Sequence, residues 1–158
     1  MSNKSLGAGS AEPILVSACL LGLSTRYDGK TKRSQAVMEY LKREDLLPIP
    51  FCPEQLAGMP TPREKSFFQS GDGLAVLNGD GQVVSEAGQL MNDVFCRGAK
   101  MSLQIARLCD CHRALLKERS PSCGVHEVYL GGSTAPGSGV TSALLIKEGL
   151  EVISEQDI

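Results

Sequence analysis

Cys19, Cys52 and Cys123 are the residues of this chain best suited to chemistry. They sit in Cys19-Leu-Leu-Gly22, Cys52-Pro-Glu-Gln55 and Ser120-Pro-Ser-Cys-Gly124, each placed after a short apolar run. Three thiolates meeting in one crevice would make a half-closed soft-metal site. A structural zinc site normally has four ligands, usually in close pairs such as C-x-x-C, and no such pair exists among these three. A three-thiolate set suits an iron–sulfur cluster that keeps one iron without a protein ligand, open to substrate. Spacing alone leaves two other readings: unlinked buried cysteines, or a single thiol acting as nucleophile.

The neighbours add chemistry. Glu54, two residues after Cys52, is a carboxylate that can move protons; its plainer reading is a first-turn helix acid following Pro53. Ser120 and Ser122 bring two hydroxyls and a tight turn to Cys123. Arg26, Asp28 and Ser122 are candidates for substrate contact, although Arg26 and Asp28 could equally form a salt bridge that holds their loop. Cys109-Asp-Cys111-His112 is dense in soft ligands, but it precedes a strand and so belongs to the opposite end of a sheet, where packing or surface roles suffice. Cys96 falls within a long helical pattern. His126 reads as a polar residue flanking a strand. Lys30-Thr-Lys-Arg33 is a solvated helix start or a guide for a nucleotide phosphate. Gly131 to Gly139 lacks a phosphate-loop context and reads as a mobile loop.

These side chains need a scaffold, and the patterning supplies one. Strands are expected over 13–18, 46–51, 113–117 and 150–153, the second short or at an edge because of its prolines. Helices are expected after an N-cap at Ser34, over 87–108 with Leu90, Val94, Met101, Ile105 and Leu108 as a stripe, and over 140–147. Residues 75–84 read as a hairpin turning on Asn78 to Gly81. The alternation predicts an α/β fold, a single compact three-layer domain with a mainly parallel, Rossmann-like sheet spanning 13–158, after a flexible leader over 1–12. Such sheets bind ligands beyond the carboxyl ends of their strands. Cys19, Cys52 and Cys123 would converge there.

Composition narrows the rest. A chain of 158 residues with 42% hydrophobic and 22% charged residues is globular rather than disordered. No run approaches the length of a membrane-spanning helix, and the polar start has no apolar secretory core. A net charge of −2 argues against stable binding of nucleic acid. Six cysteines without a secretory signal point to reduced thiols and a cytoplasmic protein. Homodimerisation stays open.

The motifs also resemble a known family, the thiouracil desulfidases. The resemblance rests on Ile14-Leu-Val-Ser-Ala-Cys-Leu-Leu-Gly22, Arg26-Tyr-Asp-Gly29, Cys52-Pro-Glu-Gln55 with Pro62-Arg63, and Lys117-Glu-Arg-Ser-Pro-Ser-Cys-Gly124. It runs from Pro13 to the C-terminus and takes in Gly139-Val-Thr-Ser-Ala-Leu-Leu145. It implies a [4Fe-4S] cluster held by Cys19, Cys52 and Cys123, with the sulfur of 2- or 4-thiouracil on the open iron. It implies water attacking the ring carbon to leave uracil, Glu54 as acid/base, and Ser120 as the hydroxyl that positions substrate or proton. The partner would be a small thiolated nucleobase. Two features depart from the family pattern: Thr25 stands where many relatives have a further cysteine, and the Gly131 to Gly139 loop is short. The rival functions are a non-catalytic metal or iron–sulfur sensor or sulfur carrier, and a cluster-free cysteine hydrolase built on Cys123.

Overall fold

In β1 (Glu12–Ser17), Ile14, Leu15 and Val16 are all fully buried, as a central parallel strand covered on both faces requires. The computed structural model describes residues 11–158. The leader expected over 1–12 therefore lies almost wholly outside the described residues, and Glu12 already belongs to β1. Three further strands join β1 in one parallel sheet: β2 (Leu46–Phe51), β5 (Arg113–Leu116) and β8 (Glu151–Ser154), in the order β2-β1-β5-β8. Pro48 and Pro50 cannot donate to a ladder, and β2 takes the edge.

Helix α1 (Gln35–Arg43) covers one face of this sheet, with Val37 and Leu41 against Ile14, Val16 and Leu115. Ser34 caps it by accepting from the Val37 N–H at 3.2 Å, as the N-cap pattern predicts. The other face is covered by α4 (Asn92–Leu108) and α5 (Val140–Lys147), which place Leu103, Ala106 and Leu145 on Leu15, Ala114 and Leu116. Short helices α2 (Pro53–Leu56) and α3 (Gly73–Leu77) fill the connections.

A second sheet packs on the far side of α4. It contains β3 (Ser66–Ser70), β4 (Gln82–Ser85), β6 (Glu127–Leu130) and β7 (Ser133–Pro136), ordered β4-β3-β6-β7 with mixed pairing. Phe68, Val83 and Val128 meet Phe95, Ala99 and Val140 in its core. The four strands expected from sequence are thus the main sheet alone.

Three local expectations are corrected. Residues 75–84 do not form a hairpin: the Asp72 side chain accepts from the Ala75 N–H at 3.1 Å and starts helix α3, leaving β4 to pair with β3. The stretch 131–139 is not a loose loop, because it contains β7, which pairs with β6 as an antiparallel hairpin. The long helix begins at Asn92 instead of Ala87. Asn92 accepts from the Val83 N–H and donates to the Gly81 carbonyl, so its side chain is tied to β4 at the point where the helix starts.

The strand order positions the site. From β1 the chain moves to β2 on one side, then crosses to β5 on the other. The carboxyl ends of β2, β1 and β5 lie side by side, and the crevice at that reversal is where open α/β sheets bind ligands.

Candidate active site

Each cysteine is set by a different local device. Cys19 lies on the single turn Ala18–Leu21 that ends β1, and its carbonyl accepts from the N–H groups of Gly22 and Lys32 at 3.3 and 3.0 Å. Cys52 is the residue before α2, whose first position is Pro53, so Glu54 falls in the first turn. Cys123 stands in the loop after β5. There the Ser120 hydroxyl oxygen accepts from the N–H groups of both Ser122 and Cys123 at 3.1 Å.

Glu118 braces that loop from below. It is only 1% exposed, and its Oε1 accepts from the N–H groups of Val125, His126 and Glu127 at 2.7, 2.8 and 3.1 Å. Burial works against its charge, yet these backbone donors prevail and hold the carboxyl below its ordinary value of 4.5. Its stabilising effect is therefore present above that value and fades as pH falls through the lowered native pKa. Glu118→Ala is expected to cost about 1–3 kcal/mol for each donor that water does not reach. Urea unfolding at neutral and acid pH checks this: the variant should be weaker at neutral pH and should lose less stability on acidification than the wild type.

Two glycines let helices approach the cysteine loops. A Cβ on Gly98 of α4 would strike the Pro53 carbonyl, and one on Gly139, just before α5, would strike the backbone of Ser122. Gly139→Ala is expected to destabilise the fold by about 1–3 kcal/mol and to displace the Cys123 loop. Thermal unfolding measured alongside iron uptake would register both effects.

The three thiols line one cavity of about 250 Å³ with Ser17, Glu54, Arg63, Lys117 and Ser120. Burial pushes the Cys19 thiol up to about 11, and the neighbouring Cys52 adds to the rise although Lys117 opposes it. Cys123 is pushed well above its ordinary value, first by burial and then by Cys52 and Cys19. Among the described residues no three His, Cys, Asp or Glu side chains converge on a point that one metal ion could occupy.

The carboxylate of Glu54 is fixed at both oxygens. Arg63 Nε donates to Oε1 at 2.9 Å, and the Ser122 hydroxyl donates to Oε2 at 3.2 Å. Arg63 is itself buried, its side chain 4% exposed, and it reaches the Thr25 carbonyl at 2.8 Å and the Cys52 sulfur at 3.9 Å. The Cys52 thiol also donates to the Thr25 carbonyl at 3.7 Å.

Residues 14–157 match the family model described as 2-thiouracil desulfurase. The chain belongs to that family. Uncharacterized protein YbbK of Bacillus subtilis (strain 168) is 38% identical over 148 residues, which is 92% of this chain and 97% of that protein. A solved structure of the [4Fe-4S]-dependent thiouracil desulfidase TudS superposes with a TM-score of 0.79 at 38% identity, covering 93% of each chain.

In this member of the 2-thiouracil desulfurase family, the structure brings Cys19, Cys52, Cys123, Glu54, Ser120 and Arg26 to one cavity. Asp28 and Ser122 are not on its lining. Asp28 pairs with Arg26 at 3.2 Å, the loop-holding arrangement, and Ser122 is buried behind Glu54. Cys111 packs in the same core cluster as Cys123 with Cys109 against it, Cys96 packs beside the second sheet, and none of the three lines the cavity. His126 pairs with Asp157 at 2.9 Å. Sequence reasoning missed Arg63, Lys117 and Ser17 as site residues. Arg63 stands in the Pro62-Arg63 part of the family resemblance but with no role of its own, and the hydroxyl of Ser17 accepts from the Lys117 N–H, a cross-strand contact with no local signal.

The lining also carries a charge pattern. Arg26, Lys32, Arg63, Lys65, Lys117 and Arg119 outnumber Glu54 and Glu118. Four of these cations are paired with carboxylates, Arg26 with Asp28, Arg63 with Glu54, Lys117 with Glu155 and Arg119 with Glu127, so the wall is rich in charged donors without a large net positive excess. Three soft donors on one cavity wall fit an iron–sulfur cluster.

Proposed function

We propose that this protein is a thiouracil desulfidase that uses a [4Fe-4S] cluster held by Cys19, Cys52 and Cys123. The observation that carries the reading is the placement of these three thiols around one cavity with a doubly anchored carboxylate, Glu54, on its wall. When bound, the cluster supplies a Lewis-acidic iron free of protein ligands for the thiocarbonyl sulfur of the substrate. The remaining work falls to side chains. Glu54 takes a proton from the water that adds to the thiocarbonyl carbon and returns it as the carbon–sulfur bond breaks. Ser120 holds the Cys123 turn through two accepted hydrogen bonds, which leaves its own proton free to meet the ring or the water. Arg26 stands at the cavity as a substrate contact, steadied by Asp28, and Ser122 serves substrate only through Glu54.

The balance is one thiouracil and one water giving one uracil and one hydrogen sulfide, with no net oxidation. In water enriched in the heavy oxygen isotope, each uracil formed should carry one labelled oxygen, with sulfide released in equal amount. Unlabelled uracil would sink the hydrolytic route.

A thiol nucleophile fits the site poorly. Such a cysteine needs a lowered pKa and a nearby base. Cys123 is buried, and neither His112 nor His126 lines the cavity. No helix of the described residues is long and apolar enough to cross a membrane. All six cysteines are free, which supports placing the protein in the reducing cytoplasm.

A further inference from the structure

We propose that Arg63 is the positioning residue that couples the cluster end of this site to its acid–base end; the inference rests on the cluster reading above. The guanidinium joins three stretches of chain. Its Nε donates to Glu54, one terminal nitrogen donates to the Thr25 carbonyl and reaches the Cys52 sulfur, and the other donates to the Pro60 carbonyl at 3.2 Å and the Thr61 hydroxyl at 2.9 Å. Gln55 donates to the same Thr61 hydroxyl at 2.7 Å, bracing the connector from the turn that carries Cys52. The Arg63 N–H donates to the Tyr27 carbonyl at 2.8 Å, so the backbone is pinned as well.

A buried cation is costly unless its donors are met, and here five oxygen or sulfur partners surround it. A planar fork can serve Cys52 and Glu54 together, whereas the single head of a lysine cannot. Two consequences follow. A donor and a fixed positive charge at a ligand sulfur raise the potential of the cluster, since they favour the extra electron. The same side chain aims the Glu54 carboxylate, so its loss lowers kcat and leaves KM little changed.

The test compares wild type, Arg63→Gln and Arg63→Lys after anaerobic reconstitution. Iron content, the midpoint potential followed by electron paramagnetic resonance, iron release to a chelator, and the kinetic constants are read for each. Arg63→Gln should give a more negative midpoint, iron loss about 10–100-fold faster, and a kcat lower by a similar factor. Arg63→Lys should recover most of the potential through its charge while kcat stays low. An Arg63→Gln midpoint equal to wild type, or full recovery of kcat by lysine, overturns the coupling. Should Arg63→Gln not fold, the lysine variant decides: iron-loaded with kcat at least tenfold down supports it, and kcat equal to wild type refutes it. A wild type that takes up no iron fails the cluster reading itself, a result separate from an iron-loaded wild type whose variants leave the potential unmoved.

Discussion

Cys123→Ser is expected to lose the cluster and thiouracil turnover together, with activity falling to background, and Cys19→Ser and Cys52→Ser should do the same. Serine keeps the volume of these side chains but offers a hard, poorly ionised hydroxyl where a soft thiolate is needed. The three sulfurs border one cavity at the ends of three adjacent strands, so removing any one of them leaves an incomplete holder. The controls are built into the same chain. Cys96, Cys109 and Cys111 do not line the cavity, and their serine variants should retain iron and turnover if they fold. Iron and acid-labile sulfide analysis beside uracil formation reads both properties in one preparation. A sensor or sulfur carrier would lose its cluster in the same variants but would show no turnover in the wild type.

Glu54→Gln is expected to reduce kcat by about 10²–10⁴-fold, the usual worth of a positioned acid/base, with iron content unchanged. Glutamine retains the shape of the side chain. Its carbonyl can still accept from Arg63, so the scaffold of the site is preserved while the proton acceptor is gone. Paired iron assays and steady-state kinetics separate this from a loading defect. A variant with full iron and near-normal kcat would remove Glu54 from the mechanism and leave the cofactor assignment standing.

Much of the main sheet could be read from sequence because its strands are short, continuous apolar runs bounded by turn residues. The Pro13 to Ala18 run and the Arg113 to Lys117 run became the two central strands, and Pro48 and Pro50 announced an edge. The second sheet was hidden for physical reasons. Ser66 to Ser70 has only Phe67 and Phe68 as apolar residues and gains its order from pairing with β4 and β6, while Ser133 to Pro136 is a short, mostly exposed strand ordered by its hairpin with β6. Asp72 mattered more than the turn residues Asn78 to Gly81, because a capped helix start outcompeted the hairpin. The cysteine trio was legible since each member follows a strand of one parallel sheet. Arg63 was legible only as part of a motif and its role was not, because that role lies in contacts with Thr25, Cys52 and Glu54 that only the folded chain assembles.

The central claim is that Cys19, Cys52 and Cys123 together hold a [4Fe-4S] cluster that this enzyme needs. Reconstituting the wild-type protein without oxygen and measuring iron, acid-labile sulfide and 4-thiouracil turnover in one sample tests it most directly. About four iron and four sulfide per chain, with uracil formed in proportion to cluster content across partly loaded samples, is the predicted result. Turnover by iron-free protein, or a fully loaded protein that leaves 4-thiouracil unchanged, would contradict it.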